Sequence, residues 1–197
     1  MTPCVVLDTE TTGFPNNGTG FCARIIEVGA VVVTKDARIV SPISFFVRQP
    51  RAHLTSWQAQ RAMQVHNISV DQVCSEGLDV AQAAPRLATW IGRVQQRFGV
   101  QEVRAYNQAF DFWFLDRAPW DFFDRTGLSK GQDIQKTAKT AMGSKRGPAL
   151  HKAVAYANRS GGDIPWLGDA HRAGEDARMA ALMAVFFESR AQLSARL

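Results

Sequence analysis

The chain has 197 residues, 46% of them hydrophobic and 21% charged, with a formal net charge of +5 at pH 7 and a pI near 9.4. That is enough chain to bury an ordinary core without disulfides or structural metal, and the absence of repeats or low-complexity tracts excludes disordered and fibrous classes. No apolar run approaches the roughly 18 residues of a membrane-spanning helix. Cys4, Cys22 and Cys74 lack paired C-x-x-C spacing, and the first strand-like run starts within five residues of Met1. The expectation is a single domain over residues 1–197 with reduced thiols, located in the cytoplasm and without a membrane partner.

Residues 3–9 open as an apolar strand, and "VVLDTETTGF" then places Asp8 and Glu10 two residues apart. Strand side chains alternate, so both carboxylates project from one face near the strand's end. The Gly-, Pro- and Asn-rich "GFPNNGTGFCA" that follows reads as a loop bordering a site. Residues 24–34 and 38–48 are Val/Ile-rich and joined by a short polar turn at Thr34 to Ala37, which predicts an antiparallel meander. From Gln49 to about Asn67 the chain reads as an irregular basic stretch.

Val80, Ala84, Leu87, Ile91, Val94 and Phe98 then recur at helical spacing. "QEVRAY" reads as a short strand, "QAFDFWFLDRA" as a helix ended by Pro119, and "GQDIQKTAKTA" as a strand running into a helix. "ALHKAVAYAN" is helical between two breaks, and the last helix, Ala173 to about Gln192, carries Met179, Ala180, Met183 and Phe187 on one stripe. The alternation predicts one α/β domain with helices on a mixed sheet. Trp90, Trp113, Trp120, Trp57 and Trp166 are expected in the core where they lie on helices.

Two like charges held in a poorly solvated place either share a proton or are neutralised by a cation. Oxygen ligands suit Mg²⁺ or Mn²⁺, which favour carboxylate over sulfur or imidazole. Asp176 stands on the last helix's apolar stripe, three residues before Met179, and Asp111 lies inside a run of aromatics, four residues after Asn107. Both sit where an unpaired charge would be costly. His171, five residues before Asp176, supplies an imidazole that can take a proton from water at neutral pH. From Ile134 to Gly162 the cations Lys136, Lys139, Lys145, Arg146, Lys152 and Arg159 occur without any Asp or Glu, as a phosphate-binding surface requires.

"DTETTG" with "RIIEVGAVVV", then "NQAFD", then "HRAGED" resemble, in that order, the three motifs of the DEDDh-type 3′-5′ exonucleases, the DnaQ-like group typified by bacterial polymerase proofreading subunits. "VHNIS" at Val65 to Ser69 is similar to the V/I-H-G-I-T segment of that family. The resemblance implies a ribonuclease H-like fold with a central mixed five-stranded sheet flanked by helices. It also implies 3′-to-5′ hydrolysis of nucleic acid to nucleoside 5′-monophosphates. Carried over by motif, Asp8, Glu10, Asp111 and Asp176 become ligands of two divalent ions, Asp8 bridging both, and His171 the general base. Two ions about 3.5 to 4 Å apart clamp the phosphate in such chemistry.

The same resemblance puts the backbone around Thr11 and Thr12 on the terminal nucleotide, Phe14 as a wedge against the last bases, and His66 and Asn107 along the strand's path. Tyr106 stands where the family commonly has His, and Asn67 where it has Gly. Glu27 and Asp133 receive no catalytic role. The substrate is nucleic acid with a free 3′ end, single-stranded DNA favoured. An exoribonuclease, and a non-catalytic binding or polymerase-docking module, are the alternatives, and a polymerase or repair partner is compatible with the resemblance.

Overall fold

Nine consecutive buried residues form strand β2, Ile25–Val33, and a strand covered on both faces belongs at the centre of a layered fold. The computed structural model describes residues 1–15, 20–165 and 171–194. In it β2 pairs antiparallel with β1 (Cys4–Thr11) and with β3 (Ile39–Phe46), which is the predicted meander. Strand β4 (Glu102–Ala105) joins β1 in parallel, and the short β5 (Ser129–Lys130) joins β4 in parallel. The mixed sheet has the order β3-β2-β1-β4-β5.

Helices cover both faces because alternate β1 residues point to opposite layers. Val5, Leu7 and Val103 pack with Leu87 and Ile91 of α4 (Val80–Phe98), Phe112 and Leu115 of α5 (Gln108–Leu115) and Phe122 of α6 (Phe122–Thr126). Cys4, Val6, Val31 and Val33 face Ala138 of α7 (Ile134–Ala141), Val154 of α8 (Leu150–Arg159) and Met183 of α9 (Ala173–Ser194). A third cluster, Ile26, Phe46, Leu54, Met63 and Val73, seats α1 (Arg51–Leu54), α2 (Trp57–His66) and α3 (Val70–Glu76) against β2 and β3. Leu7, Leu87 and Met183 are fully buried, each stabilising the fold by about 2 kcal/mol. Among the described residues no helix is long and apolar enough to cross a membrane.

Several expectations need correction. The stretch after Gln49 is helical, not irregular: Ser56 caps α2, whose buried stripe is Ala59, Met63 and His66. Exposed Trp57 and Val65 on the other side obscured that periodicity and place Trp57 outside the core. Helix α3 begins with a capping box between Ser69 and Gln72. Helix α5 stops at Leu115 rather than Pro119. The strand expected within "GQDIQ" is the two-residue β5 just before it, because Asp133 already caps α7 by accepting from Gln135 N–H. Trp90 and Trp113 are half-buried against the first cluster and Trp120 is buried within it, whereas Trp166 lies outside the described residues.

Candidate active site

Asp8 and Glu10 share strand parity with Cys4 and Val6, so they face the layer that contains α9. Gly29 lies opposite Asp8 in the β1/β2 register, and a Cβ there would fall 2.2 Å from the Ala173 carbonyl carbon. Only a glycine lets the first turn of α9 rest directly on the sheet at that point. That contact brings Asp176 over the end of β1, where ligand atoms of Glu10, His171 and Asp176 all lie within 4.8 Å of one another.

Asp111 arrives from the other layer. Thr9, of opposite parity to its neighbours, donates to Asp111 Oδ1 from its backbone N–H at 2.9 Å and its hydroxyl at 2.8 Å. These bonds hold a carboxylate that is only 2% exposed beside Asp8 and Glu10. All four predicted carboxylates and His171 therefore gather at one end of β1.

The electrostatics follow from that crowding. Burial, then the charges of Asp111, Glu10 and Asp176, push Asp8 well above the ordinary carboxylate range. Burial and the neighbouring Asp176 and Glu27 raise Glu10 to about 9. Asp111 rises to about 7, burial outweighing the two Thr9 hydrogen bonds. Asp176 rises to about 6 by burial, partly offset by a backbone hydrogen bond at His171, and its Oδ1 is buried without a hydrogen-bond partner. An orphaned acceptor of this kind costs about 1 to 3 kcal/mol. Converging oxygen donors with raised pKa values and one orphan fit a hard divalent cation, which would neutralise the cluster.

Glu27 is the functional-site residue that motif reasoning passed over. It lies opposite Glu10 across the β1/β2 pair and is 2% exposed. Its carboxylate accepts from Arg172 Nε (3.1 Å) and Nη2 (3.0 Å), from the Ala173 N–H (3.1 Å) and from the Ser44 hydroxyl (3.1 Å). The two residues after His171 are thus fastened to the strand. His171 itself is exposed, with φ of +76°, a conformation that costs a non-glycine residue about 1 kcal/mol or more unless its surroundings impose it. The available signal was a lone charge in the nine-residue apolar run "IIEVGAVVV", which must find a buried partner.

The residues expected on the substrate path are less uniform. Phe14 stands out from the loop, edge-on to Phe110 at 5.9 Å between centroids. Thr11 is buried, its hydroxyl donating to the Gly13 carbonyl. Thr12 is fully buried: its N–H donates to the Arg24 carbonyl, and its hydroxyl oxygen accepts from Arg24 N–H and lies 2.9 Å from His53 Nε2. Its backbone N–H is therefore committed within the protein. His66 is buried beside the Thr11 backbone with Nε2 unpartnered, and burial lowers its pKa to about 4.

Asn107 is exposed in a left-handed conformation at the start of α5, and its N–H donates to Asp133 Oδ1 at 3.3 Å. Asp133 thus caps and ties loops, consistent with a structural role. Tyr106 donates from its hydroxyl to the Pro148 carbonyl at 2.8 Å, anchoring the loop ahead of α8. Asn67 ends α2 with φ of +54°, a left-handed cap that Asn tolerates where Gly is more usual.

The profile of the exonuclease family RNase_T matches residues 5–184. No curated protein matches the sequence. A full-length 3′-exonuclease superposes with a TM-score of 0.67 at 17% identity, over 96% of this chain and 61% of that one. The nuclease domain of 3′hExo, described as a DEDDh family member bound to rAMP, gives 0.65 at 17% identity over 95% and 92%. Exonuclease I of E. coli, in complex with a dT13 oligonucleotide, gives 0.63 at 14% identity over 100% and 43%. The chain thus spans about three fifths of the first of these proteins and less than half of the last. The shared architecture is the ribonuclease H-like fold of those exonucleases.

Proposed function

The chain belongs to the RNase_T exonuclease family, and from that premise we propose that it is a hydrolytic nuclease that shortens single-stranded DNA from a free 3′ end, releasing nucleoside 5′-monophosphates. The observation that carries this reading is the convergence of Asp8, Glu10, Asp111 and Asp176 with His171 at the end of β1. Asp8, Glu10 and Asp176 would hold one divalent cation, Mg²⁺ or Mn²⁺, and Asp8 and Asp111 a second. Bound there, the ions supply charge neutralisation to the carboxylates and to the phosphate under displacement.

The chain's own side chains supply the rest. His171, exposed beside Glu10 and Asp176, takes the proton of the attacking water on an imidazole nitrogen. Thr9 fixes Asp111, and the Glu27–Arg172 pair fixes the turn that presents His171. The Phe14 ring stacks on a base near the 3′ terminus, an interaction of about 1 to 3 kcal/mol, while exposed Asn107 and buried His66 border the strand. The exposed Lys136, Lys139, Lys145, Arg146, Lys152 and Arg159 of the α7–α8 region attract phosphates.

The test is a time course with Mg²⁺ or Mn²⁺ on 5′-labelled single-stranded DNA and RNA of one sequence, with Asp8→Ala as control. A ladder shrinking from the 3′ end, absent in the control and faster on DNA, supports the proposal. A faster RNA ladder would reassign the sugar preference, and binding without any ladder would point to a non-catalytic module.

A further inference from the structure

Among the described residues three large hydrophobic side chains are exposed: Phe14 at 73%, Trp57 at 65% and Val65 at 56%. All three lie on segments that border the end of β1. Phe14 follows the strand directly. Helix α2, which carries the other two, is tied to the same place through α1 before it and through its own last residue: His53 of α1, four residues before Trp57, has Nε2 2.9 Å from Thr12 Oγ1, and His66 lies against the Thr11 backbone.

Trp57, Arg61 and Val65 recur every four residues and so share one helix face, opposite the buried Ala59, Met63 and His66. The core therefore does not use this indole. The Arg61 guanidinium lies 5.0 Å from the Trp57 ring centroid, yet most of the side chain stays open to solvent. Arg48 and Arg51 pair with Asp79 and Asp71, whereas Arg61 has no carboxylate partner among the described residues. Indeed no Asp or Glu occurs from Arg48 to Val70. An exposed aromatic ring beside an uncompensated cation is the pairing that grips a single strand, the ring under a base and the cation on the phosphate.

We propose that Trp57 and Arg61 form an accessory nucleotide subsite, on which a base of the substrate strand upstream of the 3′ terminus stacks while Arg61 neutralises the adjoining phosphate. The proposal rests on the exonuclease reading. Four residues span at most about 14 Å, so the indole stands within a few nucleotides of the His53–Thr12 contact. The occupant is a single strand, because its bases are free to leave one another for the indole, whereas duplex bases are not.

The experiment compares wild type with Trp57→Ala, Trp57→Phe and Arg61→Gln on three substrates: thymidine 5′-(4-nitrophenyl phosphate), a dinucleotide, and an oligothymidylate of about twelve nucleotides. Trp57→Ala should lower kcat/KM on the long strand about tenfold, mainly through KM, and leave the two small substrates within about twofold; Trp57→Phe should restore most of the loss. Arg61→Gln should reduce the salt slope of long-strand binding by about 0.7. Unchanged cleavage of the long strand by Trp57→Ala would overturn the subsite and leave the face to a protein partner, and equal losses on all three substrates would reduce Trp57 to a structural role. If wild type hydrolyses none of the three, the exonuclease reading fails instead. Equilibrium binding of the oligothymidylate then decides the subsite, with undiminished affinity of Trp57→Ala overturning it.

Discussion

Glu27 grips Arg172 with both carboxylate oxygens, at 3.1 and 3.0 Å, and so fastens the residue after His171 to the strand opposite Glu10. Glu27→Gln keeps the side chain's size but loses the charge that orients the guanidinium. Because small misplacements of a catalytic group are expensive in rate, kcat should fall about tenfold or more with KM within about twofold. Wild-type kcat in a folded Glu27→Gln protein would show that this clamp does not position His171.

Asp8→Asn should abolish hydrolysis and yet stabilise the metal-free protein. The substitution removes a buried carboxylate pushed upward by burial and four neighbouring acids, and keeps the shape of the site. Each kcal/mol recovered is worth about 2 to 4 °C in Tm for a chain of this size. A lower metal-free Tm in Asp8→Asn would mean that the charge crowding is not what destabilises the site.

Metal-free stability should fall as pH rises from about 6.5 to 9. Glu10 and Asp111 titrate near 9 and 7 in the folded chain against ordinary carboxylate values when unfolded. The folded state therefore binds more protons in this window, and stability drops with pH on the order of 1 kcal/mol per unit. His66, lowered to about 4, acts in the opposite sense only below about 6.5, where the unfolded imidazole takes up a proton that the buried one refuses. Thermal melts in chelator across this range, then with Mn²⁺ added, check the sign; metal-free stability that rises with pH would contradict it.

His171→Ala should reduce turnover strongly while leaving Mn²⁺ affinity within a few-fold. Its imidazole is exposed, and its placement beside Glu10 and Asp176 suits a proton acceptor. Collapse of calorimetric Mn²⁺ binding in this variant would make it a ligand instead.

The double variant Lys145→Gln, Arg146→Gln removes two exposed cations from the loop between α7 and α8. If both contact phosphates of a single strand, the slope of log affinity against log salt should shrink by about 1.4. An unchanged slope would exclude them from the footprint.

The legible parts of the fold were those where one periodicity dominates. Residues from Val80 to Phe98 repeat with helical spacing and form α4, and "IIEVGAVVV" is apolar throughout and forms the central β2. Helix α2 was missed because its face toward solvent carries Trp57 and Val65, so apolar residues appear on both sides and the 3.6-residue pattern vanishes. At the site, Asp8, Asp111 and Asp176 were readable as charges in apolar settings, and Glu10 as the carboxylate that shares a strand face with Asp8. Glu27 met the same criterion, but its partner Arg172 lies 145 residues away, a pairing that only the close seat of α9 on Gly29 explains. The surroundings of Thr12 were not legible for the converse reason: nothing local reveals that Arg24 and His53 already claim its polar atoms.

Cation binding by the carboxylate cluster is read most directly by calorimetric titration of Mn²⁺ into metal-stripped wild type, Asp111→Asn and Asp8→Asn, with hydrolysis followed in the same samples. Wild type should bind two ions per chain, Asp111→Asn one and Asp8→Asn none of comparable affinity, with activity lost in both variants. Mn²⁺ binding that is absent from an active wild type, or undiminished in Asp8→Asn, would contradict cation binding by the cluster.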